Sequence, residues 1–245
     1  MHEGWLFKDC PGGWRLRYRR NGGGYEASRD GERWERVPSV TEVTGLLHKN
    51  LQDWAVRQVV EYLEGELVPG LVLTEEEVAR ILQGASQAHR QAAKKAAERG
   101  TELHAWAKAL FRGEAPPLPV EEPARGMAQE LSAWWEGNGG GPLLSEEAVF
   151  HPEHRYAGRA DLVARFGDRL VVVDLKTSAR VYPEHLLQVG AYALALRVEG
   201  LKVAGGFVLA LGDGLQVVEV PLEKAAEAFL GLLAVHRFLE GLKGS

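Results

Sequence analysis

The first part of the chain alternates between hydrophobic and polar residues in the manner of a small antiparallel sheet. Three short runs have this pattern, and they cover 14–20, 25–28 and 32–37. Glycine-rich residues at 21–24 and an Asp-Gly pair at 30–31 separate the runs and are typical of tight turns. We therefore expect residues 1–40 to form an N-terminal β-meander.

The next hundred residues or so have apolar positions at helical spacing. The predicted helices cover 41–47, 51–64 and 122–136. A longer helix opens at Thr74, where Glu77 completes a capping box. We expect Gly100 to interrupt this helix and Thr101 to start the next segment. Residues 41–136 are thus predicted to be a helical part, and 137–141 a flexible Gly-rich loop.

The remaining residues return to strands. Predicted strands cover 143–150, 160–166, 170–175, 203–211 and 215–220. Helices are predicted over 183–197, between two of these strands, and over 222–242 at the end. The run from Leu170 to Val173 is apolar on both faces, which is typical of a central strand. The fold class predicted is α/β, with a mixed central sheet over 143–221, flanking helices and a closing helix over 222–245, all in one domain spanning 1–245.

Two aspartates and a lysine interrupt the most apolar hairpin. Gly167-Asp168 suits a two-residue type II′ loop, in which Phe166 pairs with Arg169. Counting back from that pair places Asp161 directly opposite Asp174 on one face. Lys176 lies two residues beyond Asp174 and therefore shares its face.

Opposed like charges destabilise a sheet by themselves, whereas a divalent cation between them reverses the effect. Two carboxylates are the usual anchor for Mg²⁺, which also binds phosphate. A lysine beside the ion can stabilise charge on a phosphate or orient a water molecule. The alternative interpretation is a solvated sheet face that carries ordinary surface charges.

The order of these residues resembles a known family. Asp161, then Asp174-Leu175-Lys176, then Gln188 and Tyr192 four residues apart are similar to the motifs of the PD-(D/E)xK nuclease superfamily. Within it, the pattern resembles the branch of RecB-type nucleases and of phage and mitochondrial genome-maintenance exonucleases. Two further segments support the likeness: the run 99–104 (RGTELH) resembles that branch's histidine helix, and 38–41 (PSVT) with Trp54 resembles its entry.

The resemblance implies a restriction-endonuclease-like fold and a metal site. Asp161, Asp174, His104 and the backbone carbonyl of Leu175 are the implied ligands of Mg²⁺ or Mn²⁺, and an imidazole ligand favours Mn²⁺. Lys176 is implied to hold the attacking water or the scissile phosphate. Outside this context, His104 would be read as a helix histidine satisfied by a neighbouring oxygen.

The same resemblance implies further catalytic roles. Gln188 is expected to hold a water or a phosphate, and Tyr192 to pack or to contact the nucleic-acid backbone. An acidic residue precedes the first aspartate in many relatives, and strand alternation favours Glu147 over its neighbour Glu146. Surface charge is an equally good interpretation of either glutamate.

Several other residues are candidates for nucleic-acid binding. Arg159 flanks the hairpin, and Thr177 and Ser178 follow the lysine, where they are phosphate donors or simply turn residues. Arg15 and Arg17 alternate on one predicted strand face, which suits phosphate contacts. A solvated strand protected by charge is the alternative.

Composition narrows the function classes. Cys10 is the only cysteine, which excludes an internal disulfide and a four-cysteine iron–sulfur cluster. We see no long apolar run for a membrane span and no basic-then-apolar leader, so we expect a cytoplasmic protein, bacterial or phage-encoded. Scarce Met is compatible with a thermophilic source. The net charge of −5 does not indicate non-specific nucleic-acid binding, so binding would rely on local basic patches.

The expected function is that of a metal-dependent DNA exonuclease in replication, recombination or repair. Its expected partner is linear DNA, single-stranded or with a free end, together with a helicase or recombination protein. A structure- or sequence-selective endonuclease and a non-catalytic DNA-binding protein with the same fold are the alternatives. Polarity of digestion, DNA versus RNA and oligomeric state stay open at this point.

Overall fold

The computed structural model describes residues 4–19, 24–47, 52–138, 141–212 and 214–243. Outside these residues lie Arg20 and positions 21–23 of the predicted turn at 21–24, the loop residues Gly139 and Gly140, and Asp213. The chain forms two compact units: Met1–Leu47 with Leu103–Ser245, and His48–Glu102. The proposal of one domain over 1–245, with the parts given above, stays a prediction.

The N-terminal residues form a four-stranded antiparallel sheet with the strands in sequential order. Its strands are β1 (Trp5–Cys10), β2 (Trp14–Arg19), β3 (Tyr25–Ser28) and β4 (Glu35–Val37), and a 3₁₀ turn (Pro11–Gly13) links the first two. The predicted meander is therefore confirmed. Strand β1 was not predicted, because six residues of WLFKDC are too few for a clear period before their partner is known.

The helices of the first half are α1 (Val40–Thr44), α2 (Gln52–Glu66), α3 (Glu75–Phe111) and α4 (Ala124–Gly137). A capping box between Ser39 and Glu42 opens α1. The expected interruption at Gly100 is wrong, since α3 runs through it. One glycine costs a helix only about 1 kcal/mol, which 37 residues of helix tolerate. Thr101 does not cap a new segment, because its hydroxyl donates to the carbonyl of Ala97 at 3.0 Å.

In the second compact unit, α2 and the first part of α3 meet through a few side chains. A Cβ at Gly84 would lie 2.0 Å from the hydroxyl oxygen of Tyr62, so the tyrosine ring would have to move. Arg80 and Glu66 form an ion pair at 2.8 Å between the two helices.

A five-stranded sheet dominates the first compact unit. Its elements are β5 (Gly141–His151), β6 (Tyr156–Phe166), β7 (Arg169–Lys176), α5 (Pro183–Val198), β8 (Val203–Ala210), β9 (Gln216–Glu219) and α6 (Leu222–Lys243). The strands keep sequential order, and only β7 and β8 pair in parallel, across the α5 connection. The predicted mixed sheet is therefore confirmed.

Side-chain alternation along β7 separates two hydrophobic cores. Leu170 and Val172 pack in the core that includes α5 and α6. Val171, Val173 and Leu175 pack in the core that includes α4 and the end of α3. A strand that is buried on both faces lies at the centre of its sheet, as its continuous apolar run predicted.

The N-terminal sheet packs against β5 and β6 through one face. Leu16 and Ala27 on that face form a cluster with Ala148, Phe150 and Ala157. Lys8 joins the two sheets electrostatically, because its ammonium lies 2.7 Å from Glu147 and 2.8 Å from Glu199.

Candidate active site

The hairpin of β6 and β7 has the predicted register. Pairs run from Phe166 with Arg169 to Leu162 with Val173. Gly167 has a φ of +61°, which the first position of the predicted type II′ loop requires. The described pairing ends one position before Asp161 and Asp174. There, Oδ2 of Asp161 accepts a hydrogen bond from the backbone N–H of Leu175 at 2.9 Å, so a side chain continues the ladder.

Asp174 and Lys176 form a close ion pair on the α5 side of the sheet. The ammonium Nζ of Lys176 lies 2.7 Å from Oδ2 of Asp174, whose side chain is 3% exposed. Burial raises the pKa of the Asp174 carboxyl to about 6; Lys176 opposes this shift and the nearby Asp161 adds to it. Burial disfavours the charge on Lys176, but attraction from Asp174 and Asp161 outweighs it and raises the pKa of the lysine. Lys176 is therefore an ammonium at neutral pH.

A second set of side chains approaches Asp161 from another direction. His104 on α3 places Nδ1 3.9 Å from Oδ2 of Asp161. Glu146 on β5 joins them, and one ligand atom from each of the three residues lies within 4.8 Å of the others. All three are partly exposed, so the cluster is open to solvent.

The acidic residue on β5 differs from the prediction. Glu147 was expected at the site, whereas its carboxylate lies 2.7 Å from Lys8 in the ion pair that joins the sheets. Glu146 lies beside His104 and Asp161, because the register on either side of it places it opposite Asp161; its backbone φ is +56°. Counting of alternate residues assumes strand dihedrals, and a residue with positive φ does not have them. Glu146 also pairs with Arg159 at 2.9 Å, so this predicted binding residue lies at the edge of the cluster.

The backbone of Leu175 is directed towards β6. Within a strand, N–H and C=O of one residue point to the same side. Since the N–H of Leu175 binds Asp161, its carbonyl also faces the β6 side. Leu175 lines a small cleft together with His104, Glu146 and Asp161.

The residues predicted on α5 are both buried. Gln188 donates to the hydroxyl of Thr44 at 3.0 Å, and its buried Oε1 has no hydrogen-bond partner among the described residues. Tyr192 is 4% exposed and its ring lies against Gly158, where any side chain would be 2.7 Å from it. Burial raises the pKa of its phenol well above the usual value. Contact with a nucleic-acid backbone, which placed Tyr192 among the binding residues, is not available to a side chain so enclosed.

The other predicted binding residues fall into two places. Thr177 and Ser178 directly follow β7, and the hydroxyl of Ser178 donates to the carbonyl of Arg180 at 2.8 Å. Arg15 and Arg17 lie on the N-terminal sheet, where Arg17 forms an ion pair with Glu26. The structure therefore does not bring these two arginines into the cluster around Asp161.

The donor set fits a divalent metal ion. Two carboxylates and an imidazole converge in His104, Glu146 and Asp161, and Asp174 adds a carboxylate on the neighbouring strand. Oxygen donors with one imidazole suit Mg²⁺ or Mn²⁺, and such a set contains no thiolate. Three acceptors crowded at this distance repel each other unless a cation lies between them.

Comparison with known proteins agrees with this geometry. A family model described as the PD-(D/E)XK nuclease superfamily matches residues 5–233. No curated protein matches the chain. None of the helices among the described residues is long and apolar enough to cross a membrane.

Among solved structures, the chain is similar to LHK-Exo in complex with dAMP, with a TM-score of 0.37 and 12% identity over 85% of this chain and 93% of that one. It is similar to an alkaline exonuclease (LHK-Exo) from Laribacter hongkongensis, with a TM-score of 0.37 and 11% identity over 84% and 92%. It is also similar to SSO0001, with a TM-score of 0.30 and 15% identity over 76% and 87%. Likenesses this weak assign neither substrate nor activity.

The family match covers both sheets and every residue of the cluster. Its span includes the two aspartates and the lysine on adjoining strands, together with the histidine on α3. The chain therefore belongs to the PD-(D/E)XK nuclease superfamily.

Proposed function

We propose that this protein hydrolyses phosphodiester bonds of linear, single-stranded DNA from a free end, as a metal-dependent exonuclease. The observation that carries the proposal is the convergence of Asp161, Asp174 and Lys176 where β6 and β7 separate, with His104 and Glu146 beside them. The combination of carboxylates that suit a metal and a partly buried ammonium is what charge stabilisation on a phosphate requires.

The metal ligands in this proposal are His104, Glu146, Asp161, Asp174 and the carbonyl of Leu175. A bound divalent ion would lower the pKa of a water molecule and neutralise charge on the scissile phosphate. The imidazole of His104 favours Mn²⁺ over Mg²⁺ for tight binding. Glu147 is not part of this set, because it is held by Lys8.

Lys176 supplies the positive charge that the protein itself brings to the reaction. Asp174 holds its ammonium at 2.7 Å, which orients the donor group. From there it hydrogen-bonds the attacking water or a phosphate oxygen. Water adds to phosphorus and loses a proton, the P–O bond to the 3′ oxygen breaks, and that oxygen takes up a proton in place of the one the water lost.

Three neighbouring groups are proposed to hold the strand near the reacting phosphate. Arg159 lies at the edge of the cluster through Glu146, and the hydroxyls of Thr177 and Ser178 follow directly after Lys176. The hydroxyl of Ser178 would exchange the carbonyl of Arg180 for a phosphate oxygen. The buried Oε1 of Gln188 is an acceptor for a water molecule or a protonated group. The contacts of Arg159, Thr177 and Ser178 are to phosphate and sugar, which position a strand without reading its sequence.

The biological setting is part of the same proposal. Trimming of linear DNA from an end belongs to replication, recombination or repair in the cytoplasm of a bacterial or phage-infected cell. A helicase or recombination protein is the partner that would supply such ends.

Digestion of end-labelled linear single-stranded DNA, beside a closed single-stranded circle, tests the proposal. We expect Mn²⁺- or Mg²⁺-dependent shortening of the linear strand only. Lys176→Ala should lower the rate by at least about a hundredfold, because removal of one preorganised donor to a developing charge has that effect. Lys224→Ala is the matched control, since Lys224 is exposed on α6.

Each contrary result has a distinct meaning. Cutting of the circle would contradict the exonuclease assignment and indicate an endonuclease. Absence of cutting on both substrates, with a folded protein that still binds DNA, would contradict catalysis by this chain. Equal rates for Lys176→Ala and the unmodified protein would remove Lys176 from the mechanism.

A further inference from the structure

The N-terminal sheet has a second face, which is directed away from the core. Alternation places Leu16 and Ala27 on the face that packs against β5 and β6. The residues that alternate with these along each strand point to the opposite face. We call this the outer face, and it consists of Trp5, Phe7, Asp9, Arg15, Arg17, Arg19, Glu26, Trp34 and Arg36.

Aromatic rings and arginines alternate across the outer face. The guanidinium of Arg17 lies 4.8 Å from the ring centroid of Trp5 and 4.5 Å from that of Trp34. The guanidinium of Arg19 lies 4.9 Å from the same Trp5 centroid, so Trp5 contacts two arginines. The rings of Phe7 and Trp34 meet edge to face at 5.8 Å. This layer is held together by its own contacts, so its geometry is set before any ligand arrives.

The layer is exposed although it is rich in large rings. Phe7 is 45% exposed, and Trp5 and Trp34 are partly exposed. A patch of exposed aromatic rings is uncommon on a surface that has no ligand.

The charge of the outer face is opposite to that of the chain. The whole chain has a net charge of −5. The outer face bears four arginines, at positions 15, 17, 19 and 36, and two acidic residues, Asp9 and Glu26. Arg36 pairs with Glu42 of α1, so Arg15, Arg17 and Arg19 supply the charge of this face. Glu26 pairs with Arg17, whereas Asp9 lies 3.5 Å from Arg15 in an exposed and therefore weak pair. A polyanion complements this surface.

We propose that the outer face binds single-stranded nucleic acid, with bases stacked on the aromatic rings and phosphates on the arginines. Stacking needs bases whose faces are open, and a duplex does not offer them. Arginine planes that already lie over aromatic rings also accept a stacked base. This inference rests on the proposed function only in that the ligand is a single strand of nucleic acid. It adds a binding surface separate from the cluster around Asp161.

Fluorescence anisotropy of a labelled thymidine oligonucleotide of about 20 nucleotides tests the inference. EDTA is included, so that binding is measured without metal or cleavage. We expect Phe7→Ala and Arg15→Ala each to weaken binding at least about fivefold. Phe7→Tyr, which keeps a ring, should bind like the unmodified protein.

Matched controls come from elsewhere on the same compact unit. Phe238→Ala removes an equally large ring that is 66% exposed on α6. Arg125→Ala removes a guanidinium whose side chain is 49% exposed, the same as that of Arg15. Neither control should change the affinity. Arg15→Ala also serves if Phe7→Ala fails to fold, because half of the Arg15 side chain is already in solvent.

Unchanged affinity in Arg15→Ala would overturn the proposal. Equal losses of affinity for a blunt duplex and for the single strand would overturn it too, since phosphate contacts alone would then explain both. Binding that follows these expectations in a protein that cuts no DNA would leave this inference standing while the proposed function fails. If the protein cleaves DNA but the outer-face variants bind it like the unmodified protein, the proposed function would stand and this inference would fail.

Discussion

Glu146 has a backbone conformation that few glutamates adopt. Its φ of +56° costs free energy that an alanine or glutamate in a regular strand does not lose. Its carboxylate lies near His104 and Asp161, whereas the next residue, Glu147, binds Lys8. Two adjacent glutamates thus have different surroundings.

We predict different results when each of these glutamates is shortened. Glu146→Ala should weaken the apparent affinity for Mn²⁺ by at least about tenfold. Loss of a residue that only hydrogen-bonds to a metal ligand often has that effect, and Glu146 is proposed as a ligand itself. Glu147→Ala should leave it unchanged. Activity measured against Mn²⁺ concentration gives both values. A larger loss for Glu147→Ala would contradict the assignment of Glu146.

At the level of residues, the sequence predicted the members of the hairpin well. Asp161, Asp174 and Lys176 follow from a two-residue loop and a two-residue period, which depend on neighbours in the chain. Glu146 and the burial of Tyr192 do not follow from the sequence. Glu146 has a backbone φ of +56°, which no sequence period indicates. Tyr192 is buried because Gly158, which has no side chain, lets β6 approach α5 closely.

Helix α5 approaches α6 so closely that one glycine is required. A Cβ at Gly190 would lie 2.6 Å from the backbone nitrogen of Ala226 and 2.7 Å from the carbonyl carbon of Ala225. Backbone atoms cannot rotate away as a side chain does. The two helices would have to separate, and α5 also carries Gln188.

We therefore predict that Gly190→Ala lowers the free energy of unfolding by about 1–3 kcal/mol, the usual cost of overpacking a core. A Cβ at Gly231 on α6 would meet no atom within 4 Å among the described residues, so Gly231→Ala is the matched control. It should raise stability by up to about 1 kcal/mol through helix propensity. Urea denaturation measures both. Equal effects of the two substitutions would show that the helices do not touch there.

Most helices and strands follow from the periodicity of hydrophobic residues, but where each begins and ends depends on its contacts with neighbouring elements. The helix over 183–198 and the hairpin around Gly167 have strong local signals. Strand β1 has only six residues, and pairing with β2 decides its conformation. The uninterrupted helix at Gly100 is a case in which the propagation of a long helix outweighs a single unfavourable residue.

At the scale of the whole molecule, a metal ion would link the elements that supply its ligands. His104 comes from α3, Glu146 from β5, and Asp161 and Asp174 from β6 and β7. An ion held only by the folded state stabilises it by about 2.7 kcal/mol at a hundredfold excess over Kd. For a chain of this size that corresponds to a rise in Tm of about 5–10 °C.

We predict such a rise when Mn²⁺ is added to the metal-free protein, and its loss when EDTA is added. Asp161→Asn should abolish most of the rise, whereas Asp168→Asn, an exposed residue of the hairpin loop, should not. Differential scanning calorimetry gives the values. An equal rise in both variants would place the ion elsewhere.

The sequence by itself determined the α/β class, the order of most elements, the register of the hairpin, and the aspartates and lysine that identify the family. All of these depend on short-range periods and on a motif whose spacing is local. The tertiary structure alone decided that Glu146 rather than Glu147 meets His104, that Tyr192 is enclosed, and that three aromatic rings share a face with four arginines. These contacts join residues far apart in the chain, and packing and backbone distortion, which have no sequence period, determine them.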